Sequence, residues 1–477
     1  MRKPEEVRRE EGAASPLGGP SPWSSQKWLW LFLAGYATAL ACLLSKLSLW
    51  LDEILDLIGA CNPSLSALLA YVPVNAGGVP LGYLAQFAVI RSLGCSAFSG
   101  RLPSAVFSVL ACAGIFVLAQ HFRLRWPLLA VALFAFCPLQ LRYAMEARSY
   151  SQALCLTIWS TVVFLQLLDR SASLARVLLY GGIIALGLYT QPFTVFVPAA
   201  HFLWLCAAAP GVGRRVQLAL FSGAAVLGGA LAFAPWYLHA AALWRRSVVE
   251  SLQVGRITLH VLPVILHELT GAGYLGMALV LGGVLLGLQR SSNRHGQRWF
   301  WMFYLFVPVT GTLTADAVFG YFFAIRQVIF VIPPLALLAA VGAEGAAVRG
   351  WRIGSCLAGA FLVVALYQDA DQFRRPRENW QAAAQFLKTK TANGDCIVFT
   401  PEDSHTLYTF FSEELRGREC RPEQLSAAHR VALAVSPYLT AEQQDADRRR
   451  LVELGFQRET EFNPSGPKVE LYRRAHP

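Results

Sequence analysis

Leu47-Ser48-Leu49-Trp50-Leu51-Asp52-Glu53-Ile54 marks where the first long apolar run of the chain stops. Two adjacent carboxylates at the edge of a membrane are costly unless something solvates or uses them. Upstream, Lys27 to Trp50 is too long for a signal-peptide core and no clear cleavage site follows, so it reads as a retained transmembrane helix. Before it, Met1 to about Gln26 is polar, basic and rich in Pro, Gly and Ser, which predicts a disordered cytoplasmic segment.

Downstream of the acidic pair the apolar runs recur. They lie near 80–97, 102–120, 126–141, 149–168, 176–192, 193–209, 216–240, 259–288, 299–316, 323–346 and 352–367. The fold class that follows is a polytopic α-helical membrane protein with roughly 11–13 membrane segments, some of them short. The whole-chain figures agree: of 477 residues 55% are hydrophobic and 15% charged, and the mean hydropathy is +0.43. Too little polar surface remains for a soluble protein of this length. The net charge of +11 invites a nucleic-acid reading, but the arginines concentrate in short loops between apolar runs, where membrane orientation accounts for them.

Residues 54–72 are too polar and too broken to span, and read as one or two interfacial helices in a first outer loop, 51–79. Past Asp369 the composition changes. Residues 370–477 are charged and mixed, with helices expected at 377–390, 402–415 and 440–454 and strands at 395–400, 430–436, 456–462 and 468–474. The chain therefore divides into the N-terminal segment 1–26, a transmembrane domain 27–369 and a small α/β domain 370–477.

Loops carrying Arg170/Arg176, Arg214/Arg215, Arg290/Arg294/Arg298 and Arg349/Arg352 alternate with poorer ones, and the richer set is expected in the cytoplasm. Asp52, the loop before Ser149 and the C-terminal domain then lie outside. Three apolar runs separate Asp52 from Arg148, although an even number of crossings is required. Either 80–97, interrupted by Arg91 and Gly94, or the short 126–141 fails to cross.

Of ten cysteines, Cys42, Cys112, Cys137, Cys155, Cys206 and Cys356 lie in apolar runs and read as small core residues. Cys396 and Cys420 lie in a polar region and can pair if that region is extracytoplasmic.

Three polar clusters meet on the outer face. The first is Asp52-Glu53, readable as a helix N-cap or as working carboxylates. The second is Arg142-Tyr143-Ala144-Met145-Glu146-Ala147-Arg148-Ser149-Tyr150. It reads either as a solvated loop with an Arg142–Glu146 helical pair, or as a phosphate site, because an arginine fork makes two charge-assisted bonds. The third is Tyr321-Phe322-Phe323-Ala324-Ile325-Arg326-Gln327, where Arg326 either snorkels at the interface or holds a lipid phosphate. His267-Glu268 lacks the second histidine of a zinc motif. There is no phosphate-cradling glycine loop, dinucleotide fingerprint or nucleophile elbow.

The chain resembles the GT-C glycosyltransferases of the protein-O-mannosyltransferase and aminoarabinose-transferase superfamily (glycosyltransferase family 39-like). The resemblance rests on Trp50-Leu51-Asp52-Glu53, Val79-Pro80-Leu81-Gly82-Tyr83-Leu84, Arg101-Leu102-Pro103-Ser104-Ala105, Pro138 through Tyr150, and Arg326 through Pro334, in that order, with a tail opening on Asn379-Trp380. It implies inverting transfer of a sugar from a polyprenyl-phosphate donor to a hydroxyl on a lipid, glycan or protein acceptor, on the extracytoplasmic face of the cell inner (plasma) membrane, with no nucleic-acid partner. Under it Asp52 is the general base. Glu53, Tyr83, Tyr143, Glu146, Arg148, Tyr150 and Arg326 bind donor or acceptor, with Arg148 and Arg326 neutralising the departing phosphate. No metal ligand is assigned, although Asp52, Glu53 and Glu146 offer the hard oxygens a divalent cation takes.

Two departures stand out. The family often has His-Pro-Pro-Leu-Tyr-Tyr where this chain has Gly78-Val79-Pro80-Leu81-Gly82-Tyr83, and Tyr-Thr-His where it has Tyr189-Thr190-Gln191. They keep two other functions open: a transporter or flippase for a lipid-linked glycan, and a non-catalytic assembly protein of the same fold. A transporter should show internal repeats or charges near mid-membrane. The sequence shows neither.

Overall fold

The computed structural model describes residues 22–75, 78–169, 173–208, 212–251, 261–270, 273–291, 296–319, 324–375, 377–392, 394–420 and 422–474. The expected disordered segment 1–26 lies outside them up to residue 21, and helix α1, Pro22–Leu43, starts within its last residues.

Two short helices follow as the first outer loop, α2 (Leu51–Ala60) and α3 (Leu65–Tyr71). The residue that starts α2 is Trp50, in extended backbone (φ −100°, ψ 172°), so Asp52 is not the cap. Asp52 and Glu53 instead occupy the first turn, where carboxylates complement the helix dipole. Next come α4 (Pro80–Leu93), α5 (Ala97–His121), α6 (Pro127–Ala135), α7 (Pro138–Ala144), α8 (Tyr150–Asp169) and α9 (Leu174–Thr190). Then follow α10 (Phe196–Ala208), α11 (Val212–Ser251), α12 (Val261–Thr270), α13 (Gly273–Ser291), α14 (Gln297–Phe319), α15 (Ile332–Arg349) and α16 (Trp351–Arg374).

Among the described residues six helical stretches are long and apolar enough to cross a membrane: Ala97–His121, Tyr150–Asp169, Arg215–Trp244, Tyr274–Ser291, Ile325–Arg349 and Trp351–Arg374. The bent pair α6–α7, with 66° between its halves, makes a seventh if taken as one span, and shorter apolar helices carry further runs. The run at 259–288 is two helices, α12 and α13. The tightest packing is between α13 and α15: a Cβ on Gly287 would fall 2.2 Å from the Leu338 carbonyl oxygen, and one on Gly342 2.2 Å from that of Gly283. Glycine at these positions lets the two backbones touch, the usual way helices associate where no water drives them together.

Helix α4 is not among the described helices long and apolar enough to cross a membrane. Its start packs on α2, with the Tyr83 hydroxyl 2.8 Å from Asp56, and its end is tied to the end of the same helix by a Cys61–Cys95 disulfide. At 14 residues it is shorter than a span requires, and it is held at both ends against a helix of 10.

Beyond α16 lie α17 (Trp380–Lys390), β1 (Cys396–Thr400), α18 (His405–Phe411), α19 (Pro422–Leu425), β2 (Arg430–Val435), α20 (Ala441–Glu453), β3 (Phe456–Phe462) and β4 (Lys468–Arg474). The sheet order is β1-β2-β4-β3, with β1 and β2 parallel and the other pairs antiparallel. The helix expected at 402–415 is α18 flanked by two short 3-10 turns. Trp380, Leu387, Leu407 and Tyr408 share one apolar core with Leu49, Ile54 and Leu57, so the α/β unit is seated on α2. Cys396 and Cys420 are disulfide-bonded.

Candidate active site

Helix α2 carries acidic residues at 52, 53 and 56, and its 3.6-residue turn puts Asp52 and Asp56 on one face with Glu53 turned inward. Glu53 and Arg101 are both completely buried. Arg101 Nε and Nη2 each donate to Glu53 at 2.7 Å, and its remaining donors reach the carbonyls of Leu44 (2.7 Å), Leu47 (2.8 Å) and Ser48 (3.0 Å). Glu53 also accepts from Ala147 N at 2.7 Å and Trp50 N at 3.4 Å. This one pair therefore clamps the end of α1, the start of α2, the start of α5 and the loop before α8. Both oxygens of Glu53, expected to contact donor or acceptor, are hydrogen-bonded inside the protein.

Asp52 faces the open side, and Asp56 lies buried beside it. Asp52 Oδ2 lies 3.3 Å from Arg326 Nη1 and 3.6 Å from Arg148 Nη2. Arg148 Nη1 donates to Asp56 Oδ1 at 2.8 Å, an oxygen that also accepts from the Tyr83 hydroxyl (2.8 Å) and Asn75 Nδ2 (3.2 Å). The Tyr150 ring lies beneath both guanidinium groups, 5.6 Å from that of Arg148 and 5.8 Å from that of Arg326, and packs at 4.8 Å on the buried Tyr143 ring. Side-chain exposures of 17% for Arg148, 20% for Asp52 and 23% for Arg326 leave each reachable by a ligand. Burial pushes the Asp56 carboxyl up to about 6, against the opposing pull of the Arg148 charge and the Tyr83 hydroxyl.

Glu146, placed by the loop between α7 and α8, is buried and lies 3.4 Å from Arg377. Burial and then the neighbouring Glu53 charge push its carboxyl up to about 7, while Arg377 pulls the other way. The expected Arg142–Glu146 pair is not the contact made: Arg142 reaches Glu268 at 3.8 Å. Glu378 bolts the α/β unit to the site. It accepts from Leu51 N (3.1 Å), Trp380 Nε1 (2.7 Å) and the Tyr438 hydroxyl.

The structure thus brings Asp52, Tyr83, Tyr143, Arg148, Tyr150 and Arg326 to one surface, with Glu53 and Glu146 beneath it. Tyr321, Phe322 and Phe323 lie outside the described residues. Sequence reading missed Asp56, Arg101, Arg377 and Glu378. No three His, Cys, Asp or Glu side chains converge as metal ligands among the described residues. The three carboxylates considered for a cation each face arginine instead.

Both departures have local causes. A Cβ on Gly78 would fall 2.0 Å from the Val72 carbonyl oxygen, so this backbone excludes any side chain there. Gln191 starts the turn after α9, its Oε1 accepting from Phe193 N at 3.1 Å. Gly82 lets α4 approach the loop before α8, since a Cβ there would meet Ser149 Cβ at 2.5 Å.

No protein-family model matches the chain. No curated protein matches it either. Solved structures do. ArnT (aminoarabinose transferase) from Cupriavidus metallidurans in the apo state aligns over 94% of this chain and 98% of its own, with a TM-score of 0.59 and 12% identity. The same protein bound to undecaprenyl phosphate gives 0.54 and 13% identity over 93% of this chain and 98% of that one. The oligosaccharyltransferase AglB from Archaeoglobus fulgidus, in complex with an inhibitory peptide and a dolichol-phosphate, gives 0.53 and 12% identity over 94% and 74%. The fold is GT-C.

Proposed function

We propose that this chain is an inverting glycosyltransferase that moves a hexosyl or pentosyl group from a polyprenyl-phosphate carrier to an acceptor hydroxyl. The observation that carries the reading is the convergence of Arg148 and Arg326 on the part-exposed Asp52. The acceptor oxygen attacks the anomeric carbon and gives its proton to Asp52. The bond from that carbon to the phosphate oxygen breaks, and its electron pair leaves with the phosphate. Arg148 and Arg326 oppose that growing charge, stabilisation delivered by preorganised donors. Asp56 holds Arg148 in position through a 2.8 Å bond. Glu53 and Glu146 act as scaffold, Glu53 through Arg101 and Glu146 through Arg377.

The extracytoplasmic assignment draws support from both disulfides, at Cys61–Cys95 and Cys396–Cys420, which belong to an oxidising compartment. The two fold relatives seen with undecaprenyl phosphate and dolichol-phosphate favour a polyprenyl phosphate as donor. The alternatives of transporter and assembly protein have no comparable feature in their favour. The test is transfer of radiolabelled sugar from polyprenyl-phosphate donors to envelope acceptors by purified protein. The wild type should transfer and Asp52→Asn should fold normally but lose activity by at least about a hundredfold, the scale of a lost general base. Transfer by Asp52→Asn at the wild-type rate would refute the assignment.

A further inference from the structure

At the far end of α5 from Arg101 lies a second basic site, roughly 33 Å away along the helix at 1.5 Å per residue. A cavity of about 300 Å³ opens there between the ends of α5, α13 and α15, lined by Arg123, Arg125, Arg290, Ser291, Gln297 and Glu344. Glu344 is already engaged, accepting from Trp126 N at 2.8 Å. None of the three arginines makes an ion pair within 4 Å among the described residues, although the charges of Arg125 and Arg290 act on Glu344.

Two details show that these arginines are placed, beyond simply gathering at a membrane edge. Helix α5 ends in a turn where Leu124 N bonds Ala119 O and Arg123 N bonds Gln120 O, both at 2.9 Å. That turn needs a left-handed residue, usually glycine, and here Arg123 holds it with φ 55°. Strain of this kind persists where the side chain is wanted. In addition, Arg290 runs across Gly345: a Cβ there would lie 3.1 Å from Arg290 Cδ, so a larger residue would press on the arginine stem.

We propose that this cavity binds the phosphate of an anionic phospholipid headgroup. Leu124, Val341 and Val348 also line it, and Val348 is 60% exposed, apolar surface that suits an acyl chain. Basic pockets between membrane helices bind such headgroups. The proposal is independent of the catalytic reading.

The test titrates delipidated full-length protein in detergent with phosphatidylglycerol or phosphatidylcholine of matched chains, and counts bound lipid by native mass spectrometry. Phosphatidylglycerol should be retained preferentially, with affinity falling about fivefold for each arginine removed in Arg125→Gln and Arg290→Gln. Arg123→Gly should lose a similar factor while unfolding at the same or a higher temperature, so a folding defect cannot mimic the result. Equal retention of the two lipids, or wild-type retention in the variants, overturns the proposal. Displacement of the lipid by millimolar inorganic phosphate overturns the lipid assignment in favour of a soluble anion.

Discussion

Glu53→Gln should unfold this protein more readily without touching its chemistry directly. In the folded chain Arg101 has no exposed surface and gives two of its five hydrogen bonds to Glu53, both at 2.7 Å. The amide of glutamine presents one oxygen and one NH2 group, so one arginine N–H would face a donor, and the guanidinium charge would lose its counter-charge. Breaking a buried pair from one side costs roughly 3–5 kcal/mol, because the remaining charge stays out of water. The assay is thermal unfolding of the purified protein in detergent, followed by tryptophan fluorescence. Glu53→Gln and Arg101→Gln should each lower the midpoint strongly, and the double variant should lose far less than the sum, since either change alone already breaks the pair. Asp52→Asn should leave the midpoint near the wild type. If Glu53→Gln unfolds with the wild type yet transfers no sugar, Glu53 is catalytic and the scaffold reasoning fails.

Other expectations concern the same surface. Asp56 titrates near 6 in the folded chain, above its ordinary value, so the folded state holds the extra proton. Its contribution to stability is fully present below about pH 4 and is lost as pH rises toward 6. Unfolding midpoints measured from pH 4 to 7 should fall less steeply for Asp56→Asn than for the wild type. Gly82→Ala should push α4 off Ser149 and cut transfer by about tenfold to a hundredfold, the effect of a displacement near 1 Å; unchanged transfer would show that the loop adapts. Thiol alkylation before and after reduction should find Cys61 and Cys95 protected until reduced, and removing both should cost about 2–4 kcal/mol in unfolding measurements. Ready alkylation without reduction would place this face in a reducing compartment.

The C-terminal strands were legible to within a residue, Cys396–Thr400 and Arg430–Val435 because they run apolar between polar turns; Phe456–Phe462, polar between its two phenylalanines, has no such pattern. The polytopic helical class followed from apolar run lengths alone. Asp56 was within reach, lying four residues after Asp52 on the same helix face. Arg101 was quoted only as part of a motif, and its partner lies 48 positions away, a distance no local pattern encodes. Arg377 sat in a stretch where charge is ordinary. The Cys61–Cys95 link was hidden because the two cysteines lie 34 positions apart on either side of α4, and no local pattern brings them together.

Pairing distance along the chain also sets an order of assembly. Glu53 leaves the ribosome first and meets its counter-charge when Arg101 emerges near the start of α5. Asp52 and Asp56 wait for Arg148, Asp52 again for Arg326, and Glu146 for Arg377, after all the spans have been made. During synthesis the growing protein therefore carries an acidic centre that is neutralised stepwise, and the last step coincides with seating of the α/β unit. A chain released before Arg377 would leave the buried Glu146 without the arginine it pairs with.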